Sequence, residues 1–583
     1  MVKRRKPLAL DTTMRNPQRM ANFISILSKY EGKVLTSDLI FRIEAEFIRE
    51  KIFLPKTIGK YVPSFGSYVA SDQSEGAADK VEGIFSTWKD SKLEDQTVSI
   101  EDIEYLLHNT ITKHGEKGYA YGWESRFKTQ ISFCNELGFT YIVKNQPVRI
   151  SPTGKLLISQ YKNGHPIENY DEDPEHTAFL NAFAKYQTNN PWRQNTISVN
   201  FLYLFLTTVN CLDKDYGSKG ISRRELPFFI VWPNNNYKEL AEYINKFRKV
   251  EGRQPSPEVV YAYAMNVLDD EAPEKFGKAT AEFIKKKSRD YKFKKIEGET
   301  PDDVMRKLRQ SQLVSLRGAG FYLDINHFEQ AKVDRVMESY GQNIDFDTDY
   351  DKYFEYMGTI DEELVFKVQS VSEEQEKQIA SVRASVLKIM ADKYTWKQLS
   401  KEMSIACSKR DSHDDMLKII DKPVRLEFLA SITMQKALKD ARVEPHYKVD
   451  DAGIPYSTAS GGNSNNIGTD IDVFYQDVHA LLEPTVSESR SIQVEHEIPS
   501  IRNHLIRTIK REREEGNEQI RCFAIFLAGK IDPDVGDSVA ATKFINHIDI
   551  YPWETSDYTK TSEVADTLDS YAVIRPYSEP HRM

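Results

Sequence analysis

The sequence predicts a multidomain chain, mainly α-helical through its first half and α/β at its C-terminal end. Three observations predict this. The chain has 583 residues, too long for one ordinary core, so two to four domains are expected. Two separate stretches repeat an outline of helix, glycine, short strands. The region from about Lys422 onward reads helix, strand, strand, helix, strand.

The first unit spans residues 1–170. Phe23–Tyr30 and Leu39–Phe53 carry helical apolar spacing. Ser64–Asp79 is polar and rich in Gly and Ser, the composition of a loop. Ser125–Leu137 reads as a helix with Phe127, Ile131 and Cys134 on one side, stopped by Gly138. Short strands Phe139–Val143 and Val148–Ile150 flank the turn Lys144-Asn145-Gln146-Pro147, and Ser151-Pro152-Thr153-Gly154-Lys155 starts another helix. This is the outline of a winged helix, which sets one helix in the DNA major groove and its wing on the backbone.

A second winged-helix-like unit covers residues 171–335. Thr196–Leu212 is an apolar helix, and Ser222 with Glu225 forms a capping box for Arg223–Val231. Helices follow at Tyr237–Val250, Pro257–Leu268 and Asp302–Leu316, the last bearing Arg306, Lys307 and Arg309, and Gly318–Ile325 reads as the strand of a wing. Residues 336–415 form an acidic, then helical, linker. In the last unit, 416–583, Arg425–Arg442 is a helix bearing Glu427, and Asp450–Gly468 is a Gly/Ser/Asn-rich loop. Strands Ile471–Tyr475 and Val478–Glu483 lie close enough to form a hairpin, followed by helix Ile498–Glu515 and the apolar strand Ile520–Ala528.

Hydrophobic residues make up 40% and charged residues 29%, the composition of a folded, soluble chain. The longest apolar run, Phe201–Val209, is too short to span a membrane. The N-terminal Lys3-Arg4-Arg5-Lys6 leads into too brief an apolar patch for a signal peptide, so a cytoplasmic location is expected. Cys134, Cys211, Cys407 and Cys522 lie far apart with no CxxC pair, which argues against a zinc site or disulfide framework. The net charge of −9 argues against a protein that coats DNA with its whole surface. Charge is segregated, however. Lys275–Arg317 holds 13 Lys/Arg against 6 Asp/Glu, while Asp345–Glu376 holds 11 Asp/Glu against 2 Lys. One part is suited to phosphate and another to avoiding it.

The chemistry concentrates in the hairpin. Asp470 opens its first strand and Glu483 closes its second, so a tight hairpin sets the two side by side. Both flank apolar runs, Val473-Phe474-Tyr475 and Leu481-Leu482, and a charge at the edge of a buried element takes a partner or a metal. Glu427 on the preceding helix and Glu495 just before the following one are placed to complete a carboxylate cluster. Hard oxygen donors of this kind suit Mg2+, which serves phosphodiester hydrolysis. An aspartate and a glutamate a dozen residues apart are by themselves common.

Gly468-Thr469-Asp470-Ile471-Asp472-Val473-Phe474-Tyr475-Gln476-Asp477-Val478, running on to Leu482-Glu483-Pro484-Thr485, resembles the catalytic hairpin of the AlwI family of type IIS restriction and nicking endonucleases. Further similarity lies in Asp11–Arg19, in Gly138–Lys155, in Pro233-Asn234-Asn235-Asn236, and from Met305-Arg306-Lys307 through Gly318–Leu323. The resemblance implies a DNA-recognition half, a helical linker and a C-terminal PD-(D/E)XK nuclease domain that cuts at a fixed short distance outside an asymmetric site. It implies Asp470, Glu483 and Glu495 as metal ligands, with Glu427 near the family's helical glutamate. The spacing to Glu495 is one residue short, so His496 and Glu497 are close contenders. Thr469 replaces the usual proline and Thr485 the usual lysine, the latter matching the family's own Glu-x-Thr. Pro484 is expected to end its strand at Glu483.

DNA reading is expected from Arg15, Arg19, Arg126, Lys128, Gln130, Arg223, Arg224, Arg306, Lys307 and Arg309, with phosphate contacts commoner than base readout. Double-stranded DNA is the expected partner, and a separate methyltransferase would protect host DNA. One hydrolytic centre per chain means that a duplex break needs a transient homodimer, a small second subunit or successive nicks. The alternatives are a strand-specific nicking enzyme, the large subunit of a heterodimeric restriction enzyme, or a non-catalytic DNA-binding regulator. No Gly-x-x-x-x-Gly-Lys-Ser/Thr loop is present, which disfavours an NTP-driven subunit.

Overall fold

The computed structural model describes residues 6–8, 18–91, 98–112, 121–167, 173–193, 197–269, 277–365, 373–459 and 468–581. It is a mixed fold, largely helical, with a five-stranded sheet near the C-terminus.

In the first part, helices Gln18–Leu27 and Ser37–Arg49 occupy the two amphipathic segments. Thr36 caps the second by accepting the Leu39 N–H. The segment expected as a loop carries a small hairpin, Ser64–Phe65 with Tyr68–Val69, and then enters helix Ala77–Asp90. Helix Trp123–Glu136 stops where Gly138 adopts φ 72°. A Cβ there would lie 2.1 Å from that of Met357, so glycine is required on both counts. Thr140–Tyr141 pairs antiparallel with Arg149–Ile150, and Ser151 caps helix Pro152–Leu157.

The second module differs from expectation at two boundaries. Ser222 lies in a strand, Ile221–Ser222, and the helix begins only at Leu226. Glu225 still takes the Ser222 N–H at 2.7 Å, but Ser222 caps nothing. The helix expected to reach Leu316 runs Thr300–Gln310, and Gln312 at φ 64° turns the chain into strand Val314–Arg317. That strand pairs with Tyr322–Ile325, which in turn pairs with Ile221–Ser222.

The acidic stretch keeps most of its acids exposed but packs one face inward. Helix Tyr350–Gly358 buries Tyr353, whose hydroxyl donates to the Glu136 carbonyl at 2.7 Å. Beyond it, helices Glu373–Lys393 and Trp396–Ala406 both pack on the first helix of the C-terminal unit.

That unit is built from α1 (Lys422–Ala437), β1 (Arg442–Pro445), β2 (Ile471–Tyr475), β3 (Val478–Thr485), α2 (Ile498–Glu514), β4 (Arg521–Ala528), α3 (Asp534–Asn546), β5 (Ile550–Glu554) and α4 (Thr555–Val564). The sheet order is β1-β2-β3-β4-β5; the first three strands are antiparallel and β3, β4 and β5 run parallel. The alternation of strand side chains divides the core. Ile471, Val473, Ala480, Leu482, Ile525 and Leu527 join the main core with α1, while Leu481, Ala524 and Phe526 pack with Ile498, Ile501 and Leu505 of α2. β1 lies outside any predicted strand, and Asp450–Gly468, expected as a loop, holds strand Pro455–Ala459 paired with Tyr447–Val449. β3 continues past Glu483 to Thr485 because β4 still pairs with it there, although β2 has already ended opposite Leu482. No described helix is long and apolar enough to cross a membrane.

Candidate active site

The β2–β3 register sets Ile471 opposite Leu482, so Asp470 and Glu483 fall opposite one another at the open end of the hairpin. Gln476 at φ 54° makes the turn at the other end. Glu483 is buried, between the β2 side and Phe526 of β4. Burial pushes the Asp470 carboxyl well above the usual carboxylate range, and the negative charges of Glu483, Glu427 and Glu497 push it further.

Glu427 reaches this point from α1, on the other side of the sheet, and is buried. Glu495 does not join the group. It sits in a π-helical turn, Ile492–Glu497, exposed and paired with Arg490 at 3.2 Å. The wider turn brings Glu497 inward instead. Burial raises the Glu497 carboxyl, a hydrogen bond from Thr485 opposes this, and Glu483 raises it further. Thr485, in the usual lysine position, therefore serves a carboxylate.

His504 on α2 had no place in the sequence reading. Its Nδ1 lies 3.1 Å from Glu483 Oε1. Burial alone would lower its pKa, but Glu483 outweighs this and raises it. The available signal was spacing: His504 lies seven residues after Glu497, which directly precedes the predicted helix Ile498–Glu515, hence about two turns along one face.

A second polar group braces the hairpin. Asp472 accepts from Thr469 Oγ1 at 3.2 Å and meets His446 Nε2 at 2.8 Å and His479 Nε2 at 3.0 Å. Burial would raise this carboxyl, but the two histidines hold it below the usual range. The other nitrogen of His479 meets Glu512 of α2 at 2.8 Å, tying β2, β3 and α2 together beneath the acids.

The four convergent acids are hard oxygen donors, the set a divalent cation of the magnesium type selects. Among the described residues, no three His, Cys, Asp or Glu side chains stand in the geometry of a metal cage.

The expected DNA-contacting residues are scattered. Arg15 lies outside the described residues. Arg19 and Lys128 are exposed and Arg126 is half-buried. Arg19 lies over the Phe23 ring and Arg126 over Phe53. Burial and the nearby Arg126 charge lower the Arg19 pKa, and neither arginine has an ion pair among the described residues.

The others differ from expectation. Gln130 is buried, because helix Trp123–Glu136 packs most of its surface inside the module. Lys307 is buried against Asp303 at 2.6 Å. Arg309 is buried and donates to Asp450 at 3.1 Å and to the Ile454 and Pro455 carbonyls at 3.2 Å. Arg306 donates to the Lys418 carbonyl at 2.8 Å, and Arg223 pairs with Asp302 at 2.6 Å. Arg224 is half-buried near Glu297. Arg306 and Arg309 of helix Thr300–Gln310 thus hold the C-terminal unit, and Lys307 pairs within the helix, rather than pointing outward.

The AlwI restriction endonuclease family model matches residues 135–386 and 360–558. No curated protein matches the chain. Among solved structures, the restriction endonuclease FokI aligns at 10% identity over 94% of this chain and 95% of its own, with a TM-score of 0.23. FokI bound to DNA aligns at 12% identity over 94% of each chain, with a TM-score of 0.21. The small subunit of the heterodimeric restriction endonuclease R.BspD6I aligns at 20% identity over 25% of this chain and 70% of its own, with a TM-score of 0.21.

Proposed function

This chain belongs to the AlwI restriction endonuclease family, and from that membership we propose that it is a type IIS site-specific deoxyribonuclease. It binds a short asymmetric site in double-stranded DNA and hydrolyses phosphodiester bonds a short fixed distance outside. The observation that carries this reading is the placing of Asp470 and Glu483 opposite one another at the mouth of one hairpin, with Glu427 and Glu497 near enough for their charges to act on Asp470. The order α1-β1-β2-β3-α2-β4 supports a PD-(D/E)XK core for residues 416–583. Residues 1–170 and 171–335 then form the recognition half, with 336–415 joining the two.

Asp470, Glu483 and Glu497 would hold Mg2+, with Glu427 behind them. Bound Mg2+ supplies Lewis-acid polarisation of the phosphate and a water of lowered pKa. The chain's own part is placement. His504 Nδ1 fixes one oxygen of Glu483, and Thr485 lies beside Glu497 and favours its charged form. The Asp472–His479–Glu512 brace keeps the hairpin seated on α2. Each held carboxylate loses less freedom on binding a cation and aims at one position.

One such cluster per chain cuts one strand. A transient homodimer or a small second subunit supplies the second cut, and without it the enzyme nicks. Arg19, Arg126 and Lys128 remain the phosphate contacts of the first module. A separate methyltransferase protects host DNA, and the enzyme works in the cytoplasm.

Digestion of a plasmid of random-insert sequence with magnesium, followed by sequencing of the new ends, tests the proposal. Ends at one offset from a shared asymmetric motif are expected. Ends that share no motif, or whose cuts fall inside it, would contradict it.

A further inference from the structure

The cations that the second module keeps on its outer face lie just ahead of helix Thr300–Gln310. Between Lys285 and Lys295 the chain carries seven Lys/Arg against one acid, Asp290, within a molecule of net charge −9. Lys285, Arg289, Lys292, Lys294 and Lys295 are exposed. None of these five is in an ion pair among the described residues. This contrasts with Arg223, Arg306, Lys307 and Arg309, each bound internally.

The segment is held firmly from below. Thr280 caps helix Ala281–Lys287 by accepting the Phe283 N–H at 3.1 Å. Lys287 turns inward, its ammonium 5.9 Å from the Phe283 ring centre. Tyr291 is buried, and the Tyr261 hydroxyl donates to its carbonyl at 2.5 Å. A π-helical turn, Lys295–Glu299, then buries Ile296 and Glu297 in succession and leaves Lys294 and Lys295 outside. Inward anchors alternate with outward charges, so the five cations form a ridge whose backbone is ordered. Mutual repulsion along such a ridge is relieved by a polyanion, and ordering beforehand reduces the entropy lost on binding.

We infer that the exposed ridge Lys285–Lys295 is a docking site for the phosphate backbone of duplex DNA, contacting it without reading sequence. The inference rests on the DNA-acting role proposed above and assigns backbone contact to residues other than those of helix Thr300–Gln310. Neutralising a phosphate contact reduces the salt dependence of binding by about 0.9 in the slope of log K against log[salt].

The test uses the full chain in EDTA, so that DNA is bound and not cut, with a 30-base-pair duplex titrated over a range of salt. The triple variant Lys292→Gln/Lys294→Gln/Lys295→Gln is compared with wild type. A control, Lys388→Gln/Lys397→Gln/Lys401→Gln, removes the same charge from exposed positions elsewhere. The expected result is a slope shallower by about 2–3 for the ridge variant alone, equally on unrelated duplex sequences. An unchanged slope, or the same change in the control, overturns the ridge while leaving the nuclease reading intact. Wild-type protein that binds no duplex at any salt overturns the nuclease reading and the ridge with it.

Discussion

At the scale of single residues, the site depends on which acids the helix ahead of α2 turns inward. Sequence spacing left Glu495, His496 and Glu497 as near equivalents, because an ordinary α-helical period does not register a π turn. The structure separates them: Glu495 pairs with Arg490 at the surface and Glu497 faces Glu483. Glu497→Gln is therefore expected to slow DNA cleavage about 100-fold or more, whereas Glu495→Gln stays within a few-fold of wild type. Single-turnover cleavage of a site-bearing duplex checks this, and equal losses in both would contradict it. Glu297 offers a test of another kind. Its carboxyl is buried, and burial raises its pKa to about 8 despite Arg224 and Arg223 nearby. The unfolded chain releases this proton near the ordinary glutamate value of 4.5, so between the two values the folded state holds more protons. Stability from this group is complete below pH 4.5, falls as pH rises, and is lost above about 8. Glu297→Gln should then raise the melting temperature more at pH 8.5 than at pH 5. The reverse order would place the carboxyl in a different environment.

At the scale of elements, the β2–β3 hairpin was legible because its apolar runs and short turn act locally. β1 was not, since Arg442–Pro445 is short and carries a proline. Strand Pro455–Ala459 reads as loop because Ser and Thr take strand form here only by pairing with Tyr447–Val449. The end of helix Thr300–Gln310 was placed too late because its apolar spacing runs on, and only the left-handed Gln312 breaks it. The same helix supplies a strong prediction. Arg309 spans from the second module to Asp450, and both side chains are buried. Arg309→Ala leaves the Asp450 carboxylate without its cation, at a cost of about 3–5 kcal/mol. Denaturant unfolding measures it, and a loss below about 1 kcal/mol would mean the pair is not buried in solution.

At the scale of the whole molecule, the division into a helical first half and an α/β end follows from patterns within each segment. What each surface faces does not. Lys307 and Arg309 have the composition of a DNA-reading helix; Asp303 lies one turn from Lys307 on the same helix, but only the folded chain buries that pair and brings Asp450 against Arg309. The acidic stretch likewise reads as a linker, and only the folded chain seats Tyr353 on Glu136 while leaving most of the acids outside. The pair Asp470 and Glu483 escapes this difficulty because its two acids come from the open end of one hairpin. The central claim, that Asp470 and Glu483 form a metal-dependent hydrolytic centre, is tested most directly on supercoiled plasmid incubated with wild-type protein or Glu483→Ala, in magnesium or in EDTA. Discrete linear or open-circular DNA is expected only for wild type in magnesium. Equal cleavage by Glu483→Ala, or cleavage that persists in EDTA, would contradict the account.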